Sequence, residues 1–175
     1  SDPTPDTLII NVLSDSDSSI ILLEAEGAED ITTPMQVVND DAASGGQWIL
    51  VPNGQGNNFS GTGTEVTYEV NITQAGEYIL WGRVIAPSGS DDSFFVKVGD
   101  GPNKAWSVQR GSRWAWDKGN IKGGLDPVTY NLATGMHTIK IGQREDGTML
   151  DKLLLTNDMN YIPSGKEDDN PPIIN

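Results

Sequence analysis

The sequence predicts an all-β fold, an antiparallel two-sheet β-sandwich of the jelly-roll kind, on three observations. From Glu65 onward Val66, Tyr68, Val70 and Ile72 fall at every second position, the period of a strand with one face on a core. No window sustains a helical period with a cap at each end. Short apolar runs recur about eight to ten times, separated by loops of Gly, Asn, Asp and Ser, the pattern of a Greek-key sandwich rather than of a helical or mixed fold.

Taken in order, Ser1 to Thr7 is rich in Pro and Asp and reads as a linker from a longer precursor. A short strand over Leu8–Leu13 and a polar Ser14–Ser19 segment complete residues 1–19, ahead of a compact domain over 20–158. That domain opens on the strand Ile20–Glu26, continues through Met35–Val38 and Gln47–Val51, and then enters a long Gly- and Asn-rich loop over Pro52–Gly63. The strand from Glu65 turns at Ala75-Gly76 into Glu77–Ala86, which is apolar on both faces, as a strand between packed layers should be. Ser93–Val98 follows, then a less regular stretch, Gly99–Gly124, holding three of the five tryptophans. Val128–Leu132 and His137–Ile141, joined at Thr134-Gly135, repeat the earlier strand, Gly turn, strand pattern around Gly76, and each pair reads as an antiparallel hairpin. Met149–Thr156 closes the domain, and the Pro-containing segment 159–175 reads as an outgoing tail.

A net charge of −14 and a pI near 4.2 argue against nucleic acid and anionic membranes, which need clustered Lys and Arg. Acidity suits a secreted protein bathed in calcium, although many cytosolic proteins are acidic too. There is no cysteine, so disulfides do not stabilise the fold. With one histidine and no thiol, Ser-His-Asp, Cys-His and multi-His metal chemistry lack parts. A glycosidase needs only two carboxylates, and the 25 acids supply many pairs, but a catalytic cleft calls for more chain than one loop-poor sandwich, and no cluster supports a lyase with Tyr or Lys as base.

Two acidic features stand out instead. On an extended strand Glu24 and Glu26 share one face, about 7 Å apart, an arrangement that is unfavourable unless a positive group lies between them. Asp151 stands alone in an otherwise apolar closing strand. If the first and last strands are neighbours, the three acids converge, and a calcium ion, which takes ~6–8 oxygen ligands, suits that set. The tryptophans suggest a second feature. Trp114 and Trp116, in the polar segment Arg110–Gly119, have the same parity and face the same way if the segment is extended. An indole face packs well on the apolar CH face of a sugar ring, whose hydroxyls seek fork-like donors and carboxylates. Trp81 reads as core, Trp48 as partly core, and Trp106 divides evenly between core and ligand contact.

These residues come in a recognisable order: Glu24-Ala-Glu26, Ser44-Gly-Gly-Gln-Trp48, Ala75-Gly-Glu-Tyr78, Trp81-x-Arg83-Val84, Trp114-x-Trp116, Gly135-x-His137-Thr138 and Leu150-Asp-Lys-Leu153. In that order they resemble calcium-bearing, galactose-binding-like β-sandwich carbohydrate-binding modules, above all families six and thirty-five, over residues 20 to 158. The resemblance implies a structural calcium held by Glu24, Glu26 and Asp151, with backbone carbonyls near Ser44 and Gly45 completing its shell. It also implies a sugar site in loops at one end, with Trp114 or Trp116 stacking on a pyranose. The sequence departs from the pattern at Met149, where family six often has a sugar-binding Asn, so polar contacts are expected from Arg110, Arg113, Asp91, Asp92, Arg144 and Glu145.

The expectation is a monomeric, non-catalytic module that binds a polysaccharide and tethers the catalytic domain of a secreted polysaccharide-degrading enzyme to it. A calcium-stabilised adhesion or protein-interaction domain, and less readily a jelly-roll lyase or hydrolase, remain alternatives.

Overall fold

The computed structural model describes residues 18–120 and 127–166. The strand expected over Leu8–Leu13 and the far end of the tail lie outside the described residues. The described chain forms two antiparallel sheets. Its strands are β1 (Ile20–Glu24), β2 (Asp30–Ile31), β3 (Gln36–Asn39), β4 (Gln47–Leu50), β5 (Glu65–Ile72) and β6 (Gly76–Ala86), followed by β7 (Ser93–Val98), β8 (Lys104–Ser107), β9 (Gly111–Lys118), β10 (Thr129–Leu132), β11 (Gly135–Gln143) and β12 (Met149–Thr156). One sheet runs β10-β6-β12-β4-β3, with β1 added to β12 and β9 to β6; the other runs β2-β5-β11-β7-β8.

The alternation along β5 is borne out: Val66, Tyr68, Val70 and Ile72 are all buried and meet Leu80, Val84, Ile139, Ile141, Leu150, Leu153 and Leu155 in the space between the sheets. β6 is buried on both faces, as its composition requires. Tyr78, Leu80, Val84 and Ala86 point into the main core, while Ile79 and Trp81 join Leu154 in a second cluster on the outer face, packed against Ile20, Trp116 and Tyr161.

Neither expected hairpin forms. β5 and β6 belong to different sheets, as do β10 and β11, so both Gly turns are arches that cross the core. The two similar segments pair with each other instead, with Tyr130 opposite Tyr78 and His137 opposite Val70. A hairpin would place both apolar faces in one layer, whereas an arch sends one to each side of a shared core. The Gly99–Gly124 stretch also holds more order than its irregular composition suggests, since β8 and β9 lie within it.

Two irregularities position the acids. β1 ends at Glu24, and Ala25–Gly27 is a 3₁₀ turn held by Tyr68 Oη donating to Ala25 O at 2.8 Å, so the strand alternation expected through Glu26 breaks off. In β12 the register with β6 shifts between Leu150 and Lys152, the mark of a bulge at Asp151. Leu150 and Leu153 both enter the main core, although strict alternation would send residues three apart to opposite faces. Asp151 and Lys152 are thereby both left at the Glu24 corner. The described residues after β12, 157–166, pack across the outer face. Pro163 is buried, Trp116 Nε1 donates to Gly165 O at 3.1 Å, and Lys166 Nζ donates to Asp41 O at 2.9 Å.

Candidate acid corner and aromatic face

β1 and β12 are neighbours, with Glu24 opposite Lys152, so Glu24, Glu26 and Asp151 do reach one corner of the sandwich. They do not meet at a single point. Asp151 is fully buried, accepts a hydrogen bond from Ser44 N at 2.8 Å and pairs with the guanidinium of Arg83. Lys152 Nζ lies 2.8 Å from Glu24 Oε1 and 2.9 Å from Ser44 Oγ, and that hydroxyl itself donates to Glu24 Oε1 at 2.9 Å. Ser44 therefore contributes its N–H and hydroxyl to the acids. Neither Arg83 nor Lys152 was anticipated, although each is a lone cation inside an apolar run, which is the signal that marks them.

Among the described residues three carboxylates face two cations here, which leaves one negative charge over. Glu24 Oε2 and Glu26 Oε2 are buried without a hydrogen-bond partner. Both glutamates abut Gly45, where a Cβ would fall 2.6 Å from Glu26 Oε1 and 3.6 Å from Glu24 Oε2. The positive φ of 61° there suits glycine in any case. Burial, with Glu24 and Asp151 adding repulsion, raises the Glu26 carboxyl above its ordinary range. Burial also raises Asp151, against the opposing pull of Arg83 and the Ser44 N–H. Among the described residues no three acidic or imidazole side chains gather tightly enough to hold a metal by themselves. The orphaned oxygens and the residual charge fit a cation held by Glu24 and Glu26, with Asp151 set behind them.

Above this corner lies the outer face of the larger sheet. Trp116 pairs with Arg83 and Lys118 with Trp81, so the even-numbered side chains of β9 point outward, as the shared parity of Trp114 and Trp116 predicts. Trp114 meets Trp48 edge-to-face with ring centroids 5.9 Å apart, and the Arg83 guanidinium sits 5.5 Å from the Trp114 ring. Both indoles are partly exposed. The result is an aromatic ledge over a buried Arg–Asp pair. Trp116 is turned toward the segment after β12, which its ring and Nε1 help to hold.

The other expected contact residues divide among the core, β9 and the loops at one end. Trp106 belongs to the core: it is fully buried, stands over Gly82, and donates from Nε1 to Asp117 Oδ1 at 2.8 Å. It has no surface to offer a ligand. Arg113 is exposed on β9. Asp91, Asp92, Arg110, Arg144 and Glu145 do gather in loops at one end, away from the arches. Glu145 is buried there as a clamp, with Oε2 accepting from Asp92 N at 3.0 Å and from Ser93 Oγ at 2.6 Å, so its carboxylate is spent internally. Arg144 pairs with Glu145 at 3.1 Å, and with side chains only 15% and 7% exposed this is no surface ion pair. Its guanidinium lies 5.0 Å from the ring of Phe59, which is itself 62% exposed. Arg110 reaches Gly89, and Asp91 reaches Gly147.

No protein-family model matches the sequence. In sequence the chain is similar to an uncharacterized protein of Formosa agariphila, 28% identical over 130 residues, which cover 64% of this chain and 30% of that one. The chain thus spans less than a third of the length of that relative. In structure it is similar to a family 35 carbohydrate-binding module from Clostridium thermocellum, with a TM-score of 0.60, 22% identity, and coverage of 78% of this chain and 98% of that one. The fold is shared with carbohydrate-binding modules. The C-terminal family 6 module of a marine laminarinase from Zobellia galactanivorans gives a TM-score of 0.57 at 19% identity, covering 79% of this chain and 99% of the module. A Podospora anserina β-(1,4)-mannanase carrying a family 35 module gives 0.60 at 18% identity, covering 83% of this chain but 28% of the enzyme.

Proposed function

We infer that this domain is a non-catalytic carbohydrate-binding module that holds a secreted polysaccharide-degrading enzyme on its polymer. The observation that carries this reading is the Trp48–Trp114 ledge: two partly exposed indoles, beside a guanidinium, on an outer sheet face of a sandwich shared with sugar-binding modules. A pyranose CH face laid on Trp114 gains dispersion and CH–π contact while its hydroxyls reach charged neighbours. Trp114→Ala is expected to weaken polysaccharide retention in affinity electrophoresis by about thirty-fold, the loss of a binding hot spot, with the melting temperature little changed. Trp116→Ala is expected to leave retention intact and to loosen the segment after β12. Retention unaffected by Trp114→Ala would place the sugar elsewhere. Prolonged incubation with the retained polymer is expected to release no new reducing ends.

A calcium ion is part of the same reading. Glu24 and Glu26 would hold it, with backbone carbonyls near Ser44 and Gly45 filling its shell, and its charge would offset the excess negative charge of the corner. With calcium at a hundred times its dissociation constant the domain would gain about 2.7 kcal/mol. The melting temperature is therefore expected to rise on adding calcium and to fall with chelator, and Glu26→Gln should abolish the difference. Identical melting curves in calcium and chelator would remove the ion from the reading and leave the countercharge to Arg83 and Lys152.

A further inference from the structure

We propose a second ligand site, for a single neutral pyranose unit, in the cleft where the edge of the smaller sheet at β8 faces the edge of the larger sheet at β10. It lies at the arch end of the sandwich, opposite the loops that carry Asp91, Arg144 and Glu145. The cleft encloses about 340 Å³, near the lower end of the ~300–1,000 Å³ range of small-ligand pockets. Its apolar wall is Val98, Pro102 and Leu132, and its polar groups are Lys104, Tyr130 and His137.

Tyr130 is the reason to expect an occupant. The residue is only 7% exposed, yet its hydroxyl is buried without a hydrogen-bond partner. An unsatisfied buried hydroxyl is costly, and native structures keep few of them without a use. Burial pushes the phenol up to about 12, so it stays an O–H donor at neutral pH. Lys104 Nζ stands 5.5 Å from the Tyr130 ring and adds a second donor. His137 supplies an acceptor: its Nε2 lies 2.8 Å from Ala133 O, and since a carbonyl only accepts, Nε2 carries the proton there and Nδ1 of the neutral ring is left to accept. Nδ1 lies beside Gly99, 3.2 Å from where a Cβ would sit, so the absent side chain keeps the cleft open at this point. Asp100 on the rim balances Lys104, so the cleft has no net charge to select an ion. One apolar wall facing mixed donors and acceptors matches a sugar ring, with one CH face and hydroxyls that both give and take hydrogen bonds.

The proposal goes beyond the aromatic ledge and does not depend on it. The test is an amide chemical-shift titration of the whole chain with galactose, glucose, mannose and xylose, and with glucuronate as the charged arm. At least one neutral sugar is expected to shift Gly99, Gly101, Asn131 and Leu132. Tyr130→Phe should weaken that binding about tenfold while melting at or above the parent temperature, because no internal hydrogen bond is lost. Trp114→Ala should leave these shifts intact while weakening retention on polymer, so that failure of either site is seen separately. Absence of shifts with all four neutral sugars, shifts with glucuronate alone, shifts unaltered by Tyr130→Phe, or a clear fall in its melting temperature would each overturn the assignment.

Discussion

Trp106→Ala is expected to cost about 4 kcal/mol, within the ~3–5 kcal/mol of buried Phe or Trp truncations and a large share of a typical ~5–15 kcal/mol domain stability. The indole is fully buried between the sheets, packs at 5.8 Å on Phe94 and fills the space over Gly82. Its removal would also leave Asp117 Oδ1 without its donor. The reciprocal change tests the same fit. A Cβ at Gly82 would fall 2.2 Å from the Trp106 ring and 3.2 Å from Leu150 Cδ1, so Gly82→Ala should cost about 3 kcal/mol through overpacking. In urea titrations the double variant Gly82→Ala, Trp106→Phe should lose less than the two single losses added, because the smaller ring makes room for the methyl group. Strict additivity would mean that the two residues do not compete for the same volume.

Asp151→Ala is the second large effect, at about 3–5 kcal/mol, the cost of leaving a buried charge without its partner. Asp151 is fully buried, and its loss strands the Arg83 guanidinium, 90% buried, together with the Ser44 N–H. This loss should be of similar size in calcium and in chelator, because the pair it breaks is internal to the chain. Denaturation under both conditions reads it directly. A variant that loses stability only in calcium would make Asp151 a direct ligand and not the partner of Arg83. Replacing Arg83 and Asp151 together by Met and Leu should recover much of the loss, since an apolar pair of similar volume carries no stranded charge.

Much of the sandwich was legible because period-2 alternation is a local property. Val66 to Ile72 must face a core in any sheet that forms, and an eleven-residue strand apolar on both faces, Gly76–Ala86, must lie inside a layered structure. The shared face of Trp114 and Trp116 was legible in the same way. Which strands pair was not. The segments around Gly76 and Gly135 read as hairpins along the chain, and only the competition among β5, β6, β10 and β11 for partners made them arches. The acid corner was half legible. Glu24, Glu26 and Asp151 announce themselves, but the bulge that turns Asp151 to Arg83 and brings Lys152 onto Glu24 arises from packing Leu150 and Leu153 into one core.

What the amino-acid sequence determined by itself was therefore the class of fold, the burial of each alternating face and the choice of chemically unusual residues, all set by neighbours along the chain. What the tertiary structure decided was company: Trp106 to the core, Trp114 to Trp48, Glu145 to the 92–93 backbone, and Tyr130 to a cleft that leaves its hydroxyl unanswered. These pairings join residues distant in sequence. Their energies depend on volumes and charges that meet only once both sheets are in place.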